Sequence, residues 1–303
     1  MRRNLFLILA TCMMGMMAVG CSQGDNPETP IPDEPVVPSE PTKIPINVST
    51  KVWTRATDSA FETNDKVGIY VVNYNGTAAG ALQNTGNHVD NMRFTYTSSW
   101  EPDTPIYWKD QTTPADFYCY YPYSTGIANV SAYPFAVQTN QSNRNNYKAS
   151  DFLWGKREGV APTAETVQIS VHHVMSNLII KLQAGTGYKE ADMERANITI
   201  KGLKNNATIN LANGVATAVG EVSDILPVEE SGYFRALVVP QSISNADLIE
   251  ISLDGYHYKL TQTMTFESNK QHTCTLTVNR MGEGINIGIG QWETDEKDYG
   301  GTV

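Results

Sequence analysis

Histidine, cysteine and clustered glycine are the residue types through which chains most often bind metals, attack carbonyls or cradle phosphates. Here their spacing supports none of these. The histidines are His88, His172, His173, His257 and His272. His172 and His173 are adjacent, so on a strand they face opposite sides and cannot readily share a metal. No Cys-x-x-Cys or His-x-x-x-His pair occurs, which leaves zinc without a local ligand set. His257 lies between Tyr256 and Tyr258 just past a turn, the setting of an ordinary strand histidine. In Gly282-Glu283-Gly284-Ile285-Asn286-Ile287-Gly288 the third glycine falls one place late for a nucleotide loop, and no strand–helix unit surrounds it. No Gly-x-Ser-x-Gly elbow is present. Carboxylates are scattered, and no spacing singles out a pair for acid–base work. The expectation is a protein that is not an enzyme, with no metal and no cofactor.

The N-terminus carries a different chemistry. Met1-Arg2-Arg3 is basic, and residues 5–20 form an apolar run. That run is shorter than the roughly 20 residues of a membrane-spanning helix and fits a secretory signal. It ends in Ala18-Val19-Gly20-Cys21, which resembles the lipobox of bacterial lipoproteins, although leucine is usual where Ala18 stands. Cys21 is therefore the expected lipidation site, acylated with palmitate-like chains and made the new N-terminus. Each buried CH₂ contributes about 0.8 kcal/mol to such an anchor. Cys12 leaves with the peptide. Cys119 and Cys274 read as buried free thiols, with a disulfide between them as the alternative in an oxidising compartment.

Composition is that of a globular chain: 303 residues, 41% hydrophobic and 18% charged, with a net charge of -10 that becomes -12 once the two arginines of residues 1–20 are removed. Such a chain is too apolar to be wholly disordered. It is too acidic for general nucleic-acid binding, so no nucleic acid is expected as a partner. Four cysteines exclude a disulfide scaffold. Pro27, Pro30, Pro32, Pro35, Pro38 and Pro41 recur among acidic residues. That spacing favours extended polyproline II and makes residues 21–43 a tether.

From Ile44 onward the dominant apolar period is two. Strands are expected at Lys66-Val67-Gly68-Ile69-Tyr70-Val71-Val72, at Asp116-Phe117-Tyr118-Cys119-Tyr120-Tyr121, and at Thr166-Val167-Gln168-Ile169-Ser170-Val171 running on into Val174-Met175-Ser176-Asn177-Leu178-Ile179-Ile180-Lys181-Leu182. Residues 196–201, 234–239 and 273–278 read the same way. Asn213-Gly214 and Asp254-Gly255 mark two hairpins, because they tolerate the positive φ of tight turns. No long 3.6-residue stripe occurs, so helices should be few and short. The expectation is an all-β chain of two β-sandwich domains, 44–160 and 161–303, behind a signal peptide over 1–20 and a tether over 21–43.

Residues 100–154 are rich in aromatics, among them Trp108, Tyr118, Tyr120 and Trp154. They read as core and interdomain packing. The alternative is an exposed sugar-stacking platform, which would make the protein a surface glycan-binding lipoprotein.

Several strings together resemble the fimbrillin family, the pilins of type V pili in gut and oral bacteria. They are Trp53-Thr54-Arg55-Ala56, Lys66-Val67-Gly68-Ile69-Tyr70-Val71, Pro105-Ile106-Tyr107-Trp108, Phe117-Tyr118-Cys119-Tyr120-Tyr121-Pro122-Tyr123, Asp151-Phe152-Leu153-Trp154-Gly155, His172-His173-Val174-Met175-Ser176-Asn177-Leu178, Val239-Pro240-Gln241 and Lys270-Gln271-His272-Thr273-Cys274-Thr275-Leu276-Thr277-Val278. The resemblance implies two transthyretin-like β-sandwich domains and export to the outer membrane as a lipoprotein. It also implies proteolysis after an arginine, and polymerisation with other pilin subunits by strand exchange. The resulting fimbrium would serve adhesion, with a host or bacterial surface ligand as a candidate partner. Arg55, followed by small Ala56, is the matching processing site; otherwise Arg55 is a surface arginine before the first strand. The segment removed would contain Ile44, Ile46, Val48, Lys51, Val52 and Trp53, able to form a strand. Ile285, Ile287 and Ile289 alternate with small or polar residues and make 285–292 a candidate donor strand. The same pattern also suits the last strand of its own domain.

Overall fold

A computed structural model of the chain describes residues 43–52 and 60–280, and the backbone of 288–289. The expected signal peptide, lipidation site Cys21, processing site Arg55–Ala56 and donor residues Ile285 and Ile287 lie outside those residues, as does Trp53. Among the described residues, eighteen strands run in chain order. The first nine are β1 (Asn47–Val52), β2 (Lys66–Asn75), β3 (Ala78–Ala79), β4 (Val89–Tyr96), β5 (Trp100–Pro102), β6 (Ala115–Tyr121), β7 (Tyr133–Ala136), β8 (Leu153–Val160) and β9 (Thr166–His173). The rest are β10 (Ser176–Ala184), β11 (Asn197–Asn210), β12 (Val215–Ile225), β13 (Val228–Glu230), β14 (Tyr233–Val238), β15 (Gln241–Leu253), β16 (Tyr256–Phe266), β17 (Gln271–Val278) and β18 (Gly288–Ile289). One short helix, α1 (Arg144–Ala149), and a 3-10 turn at Glu190–Arg195 complete the described elements. The chain is all-β.

The strands form three sheets. The first has the order β1-β9-β8-β6-β2-β4-β5, with β3 beside β2. The second is β13-β14-β10-β17-β18, and the third is β12-β11-β15-β16 with β7 on β11. In the first sheet, Val67, Ile69, Val71, Phe117 and Cys119 enter one apolar cluster, while Tyr70, Val72, Tyr118 and Tyr120 enter the other. Both faces of β2 and β6 are thus buried, which is why these strands read as continuous apolar runs with no polar alternation. The second cluster also takes the inner faces of the other two sheets, among them Leu178, Ile180, Ile200, Ile249, Tyr258 and Leu276. Those strands do alternate, as β9 does, because their outer faces meet water.

Several local features differ from the sequence expectation. Residues 166–182 are not one run. β9 ends at His173, Val174 and Met175 turn inward with their side chains buried, and β10 starts at Ser176. Residues 197–201 and the strand leading into the Asn213-Gly214 turn both belong to the fourteen-residue β11, whose pairing with β12 shifts register between Ile200 and Leu203 and again between Lys204 and Asn206. The hairpin at Asp254-Gly255, by contrast, is the expected one: a two-residue turn between paired Leu253 and Tyr256, with φ of 50° and 81°. β9 follows residue 160 but lies in the first sheet between β1 and β8. The chain leaves that sheet between His173 and Ser176.

Candidate functional site

The segment ahead of Arg55 is seated in a slot built from residues 106–108 and β9. Residues 44–46 run antiparallel to residues 106–108: Trp108 N donates to Ile44 O at 3.0 Å, and Ile46 N donates to Ile106 O at 2.9 Å. The segment then continues as β1, parallel to β9, in an unbroken register from Asn47 opposite Thr166 to Val52 opposite Val171. Ile46 and Val48 are buried in one apolar cluster with Ile106, Trp108, Val167, Ile169 and Val171. The alternation that made both strands legible is what fits them together, since each sends every second side chain into this cluster.

The walls of the slot are held by specific bonds. The Trp108 indole donates from Nε1 to Thr163 O at 2.9 Å and packs edge-on against Phe117, with ring centroids 5.5 Å apart. His88 Nε2 donates to Tyr107 O at 2.7 Å, so a loop from the far side of the sheet steadies the clamp. β9 pairs with β8 only at its end, His172 with Trp154 and His173 with Leu153. Over Thr166–Val171 its ladder partner among the described residues is β1. Gly155 on β8 passes so near Ser170 O that an added Cβ would lie 2.1 Å from it, so glycine is required there. Removing β1 would strip a six-residue edge and uncover Val167, Ile169 and Trp108.

The opposite end of the chain also reaches a sheet edge. β18 pairs antiparallel with β17, with Gly288 opposite Thr277 and Ile289 opposite Leu276. Of the three isoleucines expected to act as donors, Ile289 is the one whose backbone is described, and it lies in a strand at the rim of the second sheet.

The aromatic run is interior. Trp108, Tyr118, Tyr120 and Trp154 are all buried, in two different clusters rather than on one surface. Tyr120 stacks on Phe152 at 6.1 Å, and Trp154 donates from Nε1 to Leu211 O at 2.7 Å. Tyr107 is the one large exposed ring among the described residues. The platform that a glycan binder would need is not formed by these rings.

The remaining chemistry-bearing side chains have structural partners. His173 Nδ1 lies 2.7 Å from Asp151 Oδ1, and His172 meets the Trp154 ring edge-on. His272 accepts from Glu267 N, and His257 lies 3.8 Å from Glu250. Cys119 and Cys274 are buried and free. Burial pushes both thiols up, Cys274 to about 12, so both stay protonated and unreactive. Among the described residues no group of three or more His, Cys, Asp or Glu side chains is placed to hold a metal ion. No helix among them is long and apolar enough to cross a membrane. Sequence reasoning missed the role of residues 106–108 as a clamp. The only signal was Pro105, a residue that ends regular structure before the short extended stretch.

Comparisons with known proteins identify the family and the fold. A family described as fimbrillin-like matches residues 54–292. A protein of Bacteroides uniformis named as fimbrium subunit Fim1C is 24% identical over 300 residues, covering 94% of each chain. Two solved structures share the fold. One, described as a cell adhesion protein of Bacteroides uniformis, has 23% identity and a TM-score of 0.63, over 82% of this chain and 98% of that one. The other, described as a cell adhesion protein of Bacteroides ovatus, has 17% identity and a TM-score of 0.67, over 84% and 98%.

Proposed function

Because this chain belongs to the fimbrillin-like family, we propose that it is a subunit of a cell-surface fimbrium, working in adhesion by assembly rather than by catalysis. The observation that carries the mechanism is the seat of β1: a short strand ahead of Arg55, held at a sheet edge, covering an apolar slot. Export takes place as a lipoprotein through acylation at Cys21, and the proline-rich tether lifts the folded part off the outer membrane. Proteolysis between Arg55 and Ala56 then releases lipid, tether and β1 together. The vacated edge of β9 presents unpaired backbone groups and a row of apolar pockets, a template for another chain.

The incoming strand comes from the C-terminal segment of the next subunit, with Ile285, Ile287 and Ile289 as its knobs. Each buried isoleucine contributes about 1.5–3 kcal/mol, and each ladder hydrogen bond adds about 0.5–1.5 kcal/mol net. Association entropy opposes this, so several knobs are needed. The exchange would give up the ladder of Gly288 and Ile289 on β17. Two sandwich units, the second starting after His173, would then be strung end to end in the polymer, with the ligand of the fimbrium as its outer partner.

The test is to cleave purified protein after Arg55 and measure its size distribution, beside a variant with Ile287→Asp and Ile289→Asp. Wild type should polymerise and the variant should remain a folded monomer. Equal polymerisation by both would overturn the donor assignment, and unfolding of the variant would mean that the strand belongs to its own domain.

A further inference from the structure

The third sheet has two long edges. β12 and β16 have eleven residues each, and each has a single ladder partner among the described residues. The terminal strands β5 and β13 have three residues each, and β1 has six. β12 contains no proline and no lysine, the residues that commonly blunt an edge. It exposes Val215 at 55% and Val222 at 58%, and Leu226 just beyond it is 42% exposed.

A row of charges crosses the outer face of this sheet. Lys201 on β11 lies 2.7 Å from Asp224 on β12 and 3.9 Å from Glu250 on β15. Glu250 is in turn 3.8 Å from His257 on β16 and is the register partner of Lys259, which also lies 3.4 Å from Asp247. From one edge to the other the signs run negative, positive, negative, positive. The row therefore ends negative on β12 and positive on β16. Every step across the sheet is antiparallel, so β12 and β16 run in opposite directions.

We propose that this sheet is an interface with a second copy of the chain, in which β16 of one copy adds antiparallel to β12 of the next. A neighbour in the same orientation meets β12 with its β16 running the correct way, and the alternation of charge continues unbroken. The register that does this sets Val215, Thr217 and Val219 opposite Thr265, Thr263 and Thr261, all β-branched pairs suited to a sheet. Past the bulge at Gly220 it sets Val222 opposite Lys259 and Asp224 opposite His257. A two-fold contact of β12 with β12 would instead bring the acidic ends of two rows to one seam, with no basic side chain on either strand to offset them. Head-to-tail addition does not close, so it extends copies side by side. It leaves β1 in place and so operates independently of strand exchange.

The test places Val222→Cys and Lys259→Cys together in the full chain, in its own cells, under a mild external oxidant. Cys119 and Cys274 are buried and do not compete. The expected result is a ladder of covalent multimers on a non-reducing gel, absent from each single variant and retained when Arg55→Ala is added. The pair Thr217→Cys with Thr263→Cys tests the same register should the first variant fail to fold. Monomer alone from both displayed pairs would overturn the proposal. So would dimers from Val222→Cys by itself, which mark a two-fold contact, or loss of the ladder with Arg55→Ala, which would tie the contact to processing.

Discussion

At the residue scale, the side chains with chemical potential are spent on structure. Gln141 is fully buried and bridges the backbone of Leu237, donating to its oxygen at 2.8 Å and accepting from its nitrogen at 2.9 Å. Gln141→Leu would leave both groups unpaired in the core, at about 1–3 kcal/mol each. A drop of roughly 2–6 kcal/mol in urea unfolding free energy is the expected outcome. Burial raises the pKa of both Cys119 and Cys274, so neither forms thiolate in the folded state near neutral pH. Iodoacetamide at pH 8 should therefore label neither thiol until denaturant is added; rapid labelling of the native protein would contradict their placement. Their character as buried free thiols was legible from strand context. The role of Gln141 was not, because nothing in the sequence announces which backbone groups, 96 residues away, lack a partner.

At the element scale, alternation identified β9, β10 and β17, while β2 and β6 were legible as β-rich apolar runs bounded by turn residues, because both of their faces are buried. The short strands β3, β5 and β7 were not legible: a few residues carry no period, and their pairing is decided by the partner. β1 was legible as a strand from Ile44, Ile46 and Val48, but not its parallel seat on β9, since parallel pairing leaves no turn signature. That seat has an optical consequence. Trp108 is 4% exposed beneath residues 44–46. Loss of the segment should shift tryptophan emission to the red, and Val48→Asp should do so in part without cleavage, because a carboxylate is costly in the apolar slot. Emission unchanged after cleavage would mean that the slot closes by itself.

At the scale of the whole molecule, the chain is an all-β body with β1 at the edge of the first sheet and a charge-ordered third sheet whose two terminal strands each have one ladder partner among the described residues. Family membership was legible from strings that now have structural meanings: the clamp at residues 106–108, the doubly buried β6, and the inward turn at Val174 and Met175. The central claim is that this subunit enters a fimbrium only after losing everything up to Arg55. N-terminal sequencing of the chain isolated from surface filaments tests it most directly. The account predicts Ala56 as the first residue, with Cys21 and its lipid absent. Filaments whose subunits still begin at acylated Cys21 would contradict it.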